Sequence, residues 1–169
     1  ALSAGTPTQL IVTTSAANCS ARIACTTQPV VKIADAAGNA TTSTATVTAA
    51  VTSGTGSVSA GSTIDAVGGI ATFSGLTLSG TAGTFTIQYS IASPSLNVNQ
   101  TGLTLSAGTA TQLLVQTQAA GAVNAVAFTT QPVVIIADAD NNKVTSATGT
   151  ITASIGNGIA TKTAAFGST

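Results

Sequence analysis

The hexapeptide TTQPVV occurs twice in this chain, at Thr26–Val31 and again at Thr129–Val134. Extending outward from it uncovers a duplication. LSAGTPTQLIV from Leu2 matches LSAGTATQLLV from Leu105, and QPVVKIADAAGN from Gln28 matches QPVVIIADADNN from Gln131. After one inserted residue, TVTAAV from Thr46 matches TITASI from Thr150. A period of about a hundred residues is too long for a solenoid repeat and has the size of a small β domain. The duplication therefore divides the 169 residues into a tail of a preceding repeat over 1–5, a complete repeat over 6–107 and the first half of another over 108–169. The second copy reaches Thr169 with no counterpart of GGIATFSGLTLSGTAGTFTIQYSI, so the expectation is one and a half units, a piece of a longer array.

Composition narrows the fold. Thr, Ser, Ala, Gly and Val dominate, charged residues make up 5%, and there is no Glu, His, Trp or Met. The strong helix formers Glu, Lys, Arg and Met are nearly missing, whereas Val, Ile and Thr suit a pleated, half-buried surface. Strand signals follow one another closely in the first copy: TQLIVTT, PVVKIAD, TATVTAAV, GSVSA, STIDAV, GIATFSGLTL, GTFTIQYSI and NQTGLTLS. The clearest runs from Phe85 to Ile91 in strict alternation, which sets Phe85, Ile87, Tyr89 and Ile91 on one face. Gly pairs, Asn and Asp punctuate the joins, as turns with positive φ require. Seven or eight short strands in about a hundred residues predict an antiparallel β-sandwich. Its predicted core is Phe85, Ile87, Tyr89 and Phe73 with Val47, Val31 and Leu10.

Two segments, GIATFSGLTLSGTAGTFTIQYS and VVKIADAAGNATTSTATVTAAV, resemble the bacterial immunoglobulin-like domains of invasin–intimin-type adhesins and other giant surface proteins. That family places a D-x-x-G-N turn after an early strand, and a G-[VI]-A-x-F segment before a G-T-[YF]-x-[LI] strand. Asp35–Asn39, Gly69–Phe73 and Gly83–Ile87 fit these patterns. The resemblance covers all of the first copy and the front half of the second, where Asn141 replaces the turn glycine. It implies an all-β fold of tandem immunoglobulin-like antiparallel β-sandwiches, the second incomplete.

Several function classes are disfavoured by residue type alone. Without His, neither a Ser-His-Asp nor a Cys-His nucleophilic arrangement exists, and the four acidic residues are too scattered for an evident acid–base pair. No enzyme activity and no cofactor is expected. Zero net charge with no basic cluster disfavours nucleic acid. No window reaches ~18 consecutive apolar residues, so no membrane insertion of this segment is expected.

The remaining candidates are few. Asp138, Asp140 and Asn142 in DADNN resemble the oxygen-rich opening of a calcium loop, but no Glu supplies the bidentate ligand about twelve positions in; the alternative is a hairpin turn closed by Asx side chains. Cys19 and Cys25 lack the spacing and the His of zinc, haem or thioredoxin motifs. They fit an extracellular disulfide, or two free thiols in a reducing compartment. In the second copy Ala122 and Phe128 hold these positions, and Phe128 is expected to plug the core end that the cysteines staple. Asn18, Asn39 and Asn99 head Asn-x-Ser/Thr sequons, potential glycan acceptors in a cell that runs that pathway. If Leu10, Val12, Val31 and Ile33 point inward, Ile11 and Val30 point out, as do Leu114, Val133 and Ile135 in the second copy; a contact surface and a shifted frame both account for this.

The function expected is that of a structural module in a large extracellular microbial surface protein: stalk, surface layer or fibre. Its partners would be neighbouring repeats of the same chain or copies of itself. An adhesin segment binding a host or carbohydrate ligand, a fibre subunit polymerising by strand exchange and an accessory domain of an enzyme are the rival readings.

Overall fold

The computed structural model describes residues 4–154 and, as backbone, 164–166. The described residues are all β, with no helix, and fall into two compact units that divide after Gly108.

In the first unit, strands β1 (Gln9–Thr14), β3 (Val30–Ala34) and β7 (Ile70–Thr72) form an antiparallel sheet in the order β1-β3-β7. A second sheet has the order β2-β10-β9-β4-β6, from β2 (Cys19–Ser20), β10 (Leu96–Ser106), β9 (Gly83–Ile91), β4 (Thr46–Ser53) and β6 (Thr63–Asp65). All its pairings are antiparallel except β2 with β10. Strands β5 (Gly56–Ala60) and β8 (Thr77–Gly80) make a separate antiparallel pair. The stretch GIATFSGLTL, read as one strand signal, is therefore two strands, β7 and β8, that join different sheets. Gly75 between them, at φ +83, takes the left-handed conformation that a side chain disfavours.

Alternation decides what these sheets bury. Phe85, Ile87, Tyr89 and Ile91 of β9 are buried, while Thr86, Gln88 and Ser90 between them are only partly so. They meet Leu10, Val31, Ile33 and Ala71 of the three-stranded sheet, Val47 and Ala49 of β4, and Leu78 of β8 in one apolar cluster. Phe73 packs its ring 5.6 Å from that of Tyr89 at a tilt of 58°, a favoured arrangement for two aromatic quadrupoles. Each such side chain contributes about 1.5–3 kcal/mol by leaving water. All seven predicted core residues lie in this cluster. Gly54, at φ +105, lies against the face of Phe85; a Cβ there would sit 2.8 Å from the ring.

In β10 the alternation breaks. Gln100 pairs with Ile87, but Leu103 pairs with Phe85, so one extra residue is taken up beside Gly102 at φ +71. This β-bulge switches parity. Gln100, Leu103 and Leu105 consequently all point inward.

The second unit pairs β11 (Gln112–Thr117) with β12 (Val133–Ala137), and β13 (Ile151–Ala153) with β14 (Ala164–Phe166), both antiparallel. Its first pair repeats the register of the first unit. Leu10 faces Ile33 and Leu113 faces Ile136, with the same irregularity after Val12 and after Val115. The isolated bridges Ala17–Thr27, Ser20–Ile23 and Ala34–Ala40 recur as Ala120–Thr130, Val123–Val126 and Ala137–Lys143. Left-handed residues recur too: Asn18, Arg22 and Gly38 have their counterparts in Gly121, Ala125 and Asn141. Asn141 at φ +67 keeps the turn that its missing glycine put in question, because its side chain tolerates this region.

Candidate functional site

The DADNN turn is built from the Asp138 carboxylate. Its Oδ1 accepts N–H bonds from Asp140 (2.9 Å) and Asn142 (2.9 Å), and its Oδ2 accepts the Asn142 side-chain amide at 2.9 Å. Asp138 and Asn142 are buried. The first unit repeats the arrangement: Asp35 Oδ1 accepts from Ala37 and Asn39, and Oδ2 from the Asn39 amide and from Gly5 N–H. Ala37 stands where the second unit has Asp140, so the turn closes without that acid. Gln9 and Gln112 each donate a side-chain N–H to the carbonyl of the turn aspartate. The Gly5 N–H, followed by that of Asn39, holds the Asp35 carboxyl below its ordinary value against the opposing pull of desolvation. Both turns are thus organised by N–H donors, and a cation at Asp138 would compete with them for the same lone pairs. Among the described residues no three His, Cys, Asp or Glu side chains converge.

Cys19 and Cys25 are bonded to each other and buried. The loop they close is also tied to the strands around it. Ala21 N–H donates to the Ser106 carbonyl (2.9 Å), Arg22 N–H to Leu78 (2.8 Å) and Cys25 N–H to Leu76 (3.0 Å). Gln28, from the repeated TTQPVV, clamps the same place: its Nε2 donates to Cys25 O (2.6 Å), and its Oε1 accepts Leu76 N–H at 2.7 Å. The next residue, Pro29, accepts Phe73 N–H at 3.0 Å. In the first unit the hexapeptide thus ties the disulfide loop to Leu76 and Phe73, in the segment between β7 and β8. In the second unit Gln131 keeps half of the clamp, donating to Phe128 O at 2.8 Å.

The three sequon asparagines are exposed and far apart in kind. Asn18 lies at φ +52 beside the disulfide loop. Asn39 donates its amide to Asp35, and Asn99 on β10 accepts from Gln88 Nε2 at 3.2 Å.

The two units part company over apolar exposure. Leu10 is 6% exposed and Val31 and Ile33 0%, whereas Leu113 is 56% and Val115 52% exposed; Val134 and Ile136 are half-buried. The side meant to face inward is thus the barer one. Of the positions assigned outward, Leu114 and Ile135 are half-buried and Val133 is exposed, while Ile11 and Val30 in the first unit are half-buried. Phe128 corrects the expectation drawn for it. It is 43% exposed and plugs no core, because no counterpart of β8 or β10 lies beside it among the described residues.

A further network escaped sequence reading. Gln100, buried on β10, accepts from Tyr89 Oη (3.0 Å) and Ala16 N–H (2.9 Å) and donates to Ala16 O at 2.7 Å. Burial pushes the Tyr89 phenol above its ordinary value. A glutamine in a polar stretch, NVNQTG, carries no apolar signal; it faces inward because it continues the alternation of Leu96 and Val98 and pairs with Ile87.

Compared with protein-family models, with curated proteins and with solved structures, the chain finds no match.

Proposed function

We propose that this chain is a segment of a large extracellular microbial surface protein built from tandem immunoglobulin-like β-sandwiches, and that its work is mechanical. Such modules space a functional tip from the cell or tile into a layer or fibre. One observation carries the reading: strand register, bridges and left-handed residues recur between the two units at the sequence period, which supports taking them as two uses of one module. Two sheets sharing a core of alternating residues in the first unit support the sandwich reading. The Cys19–Cys25 bond suits an oxidising compartment. A chain without His, with its turn aspartates engaged by N–H donors, offers little chemistry to a substrate.

Immunogold electron microscopy on the cells that make the protein, with antibodies raised against this segment, tests the proposal. Label on the outer surface or on extracellular fibres is expected. Label confined to the cell interior would overturn it.

A further inference from the structure

The face that distinguishes the second unit has a template in the first. The outer edge of β3 pairs with β7 through Val30–Thr72, Val31–Ala71 and Lys32–Ile70, and its inner side chains are covered by Phe85, Ile87 and Tyr89 of β9. In the second unit the same strand is β12, which among the described residues pairs with β11 alone. In the first unit β4 lies between β6 and β9. Its counterpart β13 has β14, which pairs Ile151 with Phe166 as β4 pairs Val47 with Ile64, and has no second neighbour among the described residues. The loop N–H groups of Ala21, Arg22 and Cys25 bond to β10, β8 and Leu76; no such strands lie beside Asn124, Ala125 and Phe128 among the described residues. Among the described residues, the second unit therefore has no equivalent of one continuous set, β7 to β10.

We infer that this face is the seat of one further polypeptide segment with the chemistry of Ile70–Ser106: antiparallel strands carrying an alternating stripe of the Phe-x-Ile-x-Tyr-x-Ile kind. Leu113, Val115, Val134 and Ile136 receive the stripe, Val133–Ile135 accept an edge strand, and Phe128 is covered from the side. The inference rests on reading the two units as copies of one module. A second copy of this chain is the wrong occupant, because its own Phe85, Ile87 and Tyr89 are at most 1% exposed within the first unit. A lipid surface is wrong as well, since it offers no partner to the open backbone edge of β12.

The test appends a second copy of Gly68–Gly108 after Thr169 and follows amide hydrogen exchange residue by residue. In the appended chain the amides of Asn124, Ala125, Phe128 and Ile136 exchange at least ~100-fold more slowly than in the parent, and binding of a hydrophobic dye falls. Ile136→Asp in the appended chain removes that protection and leaves Ala21, Arg22 and Cys25 protected. In the parent chain, Leu113→Asp with Val115→Asp lowers dye binding and leaves the first unit's amides unchanged. Unchanged exchange in the appended chain, with the first unit still protected, overturns the inference. So does a parent chain that is dimeric with Asn124, Ala125 and Phe128 already protected, or one that the Leu113→Asp, Val115→Asp pair unfolds. None of these results bears on where the protein resides, which the immunogold result decides separately.

Discussion

Replacing Gln100 with Leu keeps much of the side-chain volume and removes three hydrogen bonds at once. Tyr89 Oη, Ala16 N–H and Ala16 C=O lose the partner that holds them at 2.7–3.0 Å, in a place where Tyr89 is 0% and Ala16 3% exposed. Each stranded group costs about 1–3 kcal/mol, and the added apolar burial of Leu returns about 1–2 kcal/mol. The net loss is about 1–8 kcal/mol, with a midpoint of about 4 kcal/mol. For a unit of this size that lowers the melting temperature by about 10–30 °C. Tyr89→Phe alone costs about 1 kcal/mol, because Gln100 still serves Ala16. Combined with Gln100→Leu it costs nothing further or stabilises, since the phenol then has no partner to lose. A double-mutant cycle by urea and thermal unfolding, followed by circular dichroism, measures this coupling. Tyr89 is the chain's one tyrosine and there is no Trp, so tyrosine emission reports the first unit alone in variants that keep it. A Gln100→Leu cost below about 1 kcal/mol, or additivity of the two changes within ~0.3 kcal/mol, would refute the network as a stabilising device.

Phe85→Ala empties the space beside Gly54 and is expected to cost about 3–5 kcal/mol in the same unfolding measurement; a loss under about 1 kcal/mol contradicts the core described. Reduction of Cys19–Cys25 frees a short loop in the unfolded state and lowers stability by about 2 kcal/mol, read as the difference in urea midpoint with and without reductant. Asp35 binds its proton less readily when folded, so the stability it lends is present above the ordinary value of 3.8 and is lost as pH falls through its depressed folded value. Urea midpoints should therefore drop as pH falls below about 3.8, and Asp35→Asn should flatten that part of the profile.

Much of the architecture is legible in the chain because it rests on local rules. Period two assigns the faces of β9 without ambiguity, since Phe85, Ile87, Tyr89 and Ile91 are large and their neighbours polar. The turn at Asp35–Asn39 is local as well: one carboxylate and the N–H groups two and four residues on suffice. That is why it survives in the second unit with Asn141 in place of glycine. Leu113 and Val115 are exposed in the second unit, because the residues that cover the same positions in the first unit come from a different stretch of chain.

Tertiary structure decided the rest, wherever one residue's environment depends on strands distant in sequence. The split of GIATFSGLTL into β7 and β8 follows from which sheet each half pairs with, and no local pattern specifies that. Gln100 follows Leu96 and Val98 in alternation onto the inner face, and the bulge beside Gly102 then reverses the parity of β10, so a polar residue and the leucines three and five positions on share one face. Phe128 shows the converse. Its apolar character spoke for burial, yet a side chain is buried only when another segment comes to cover it. Cys25 in the first unit has that cover in β8 and β10; Phe128 has none among the described residues, and remains open to solvent.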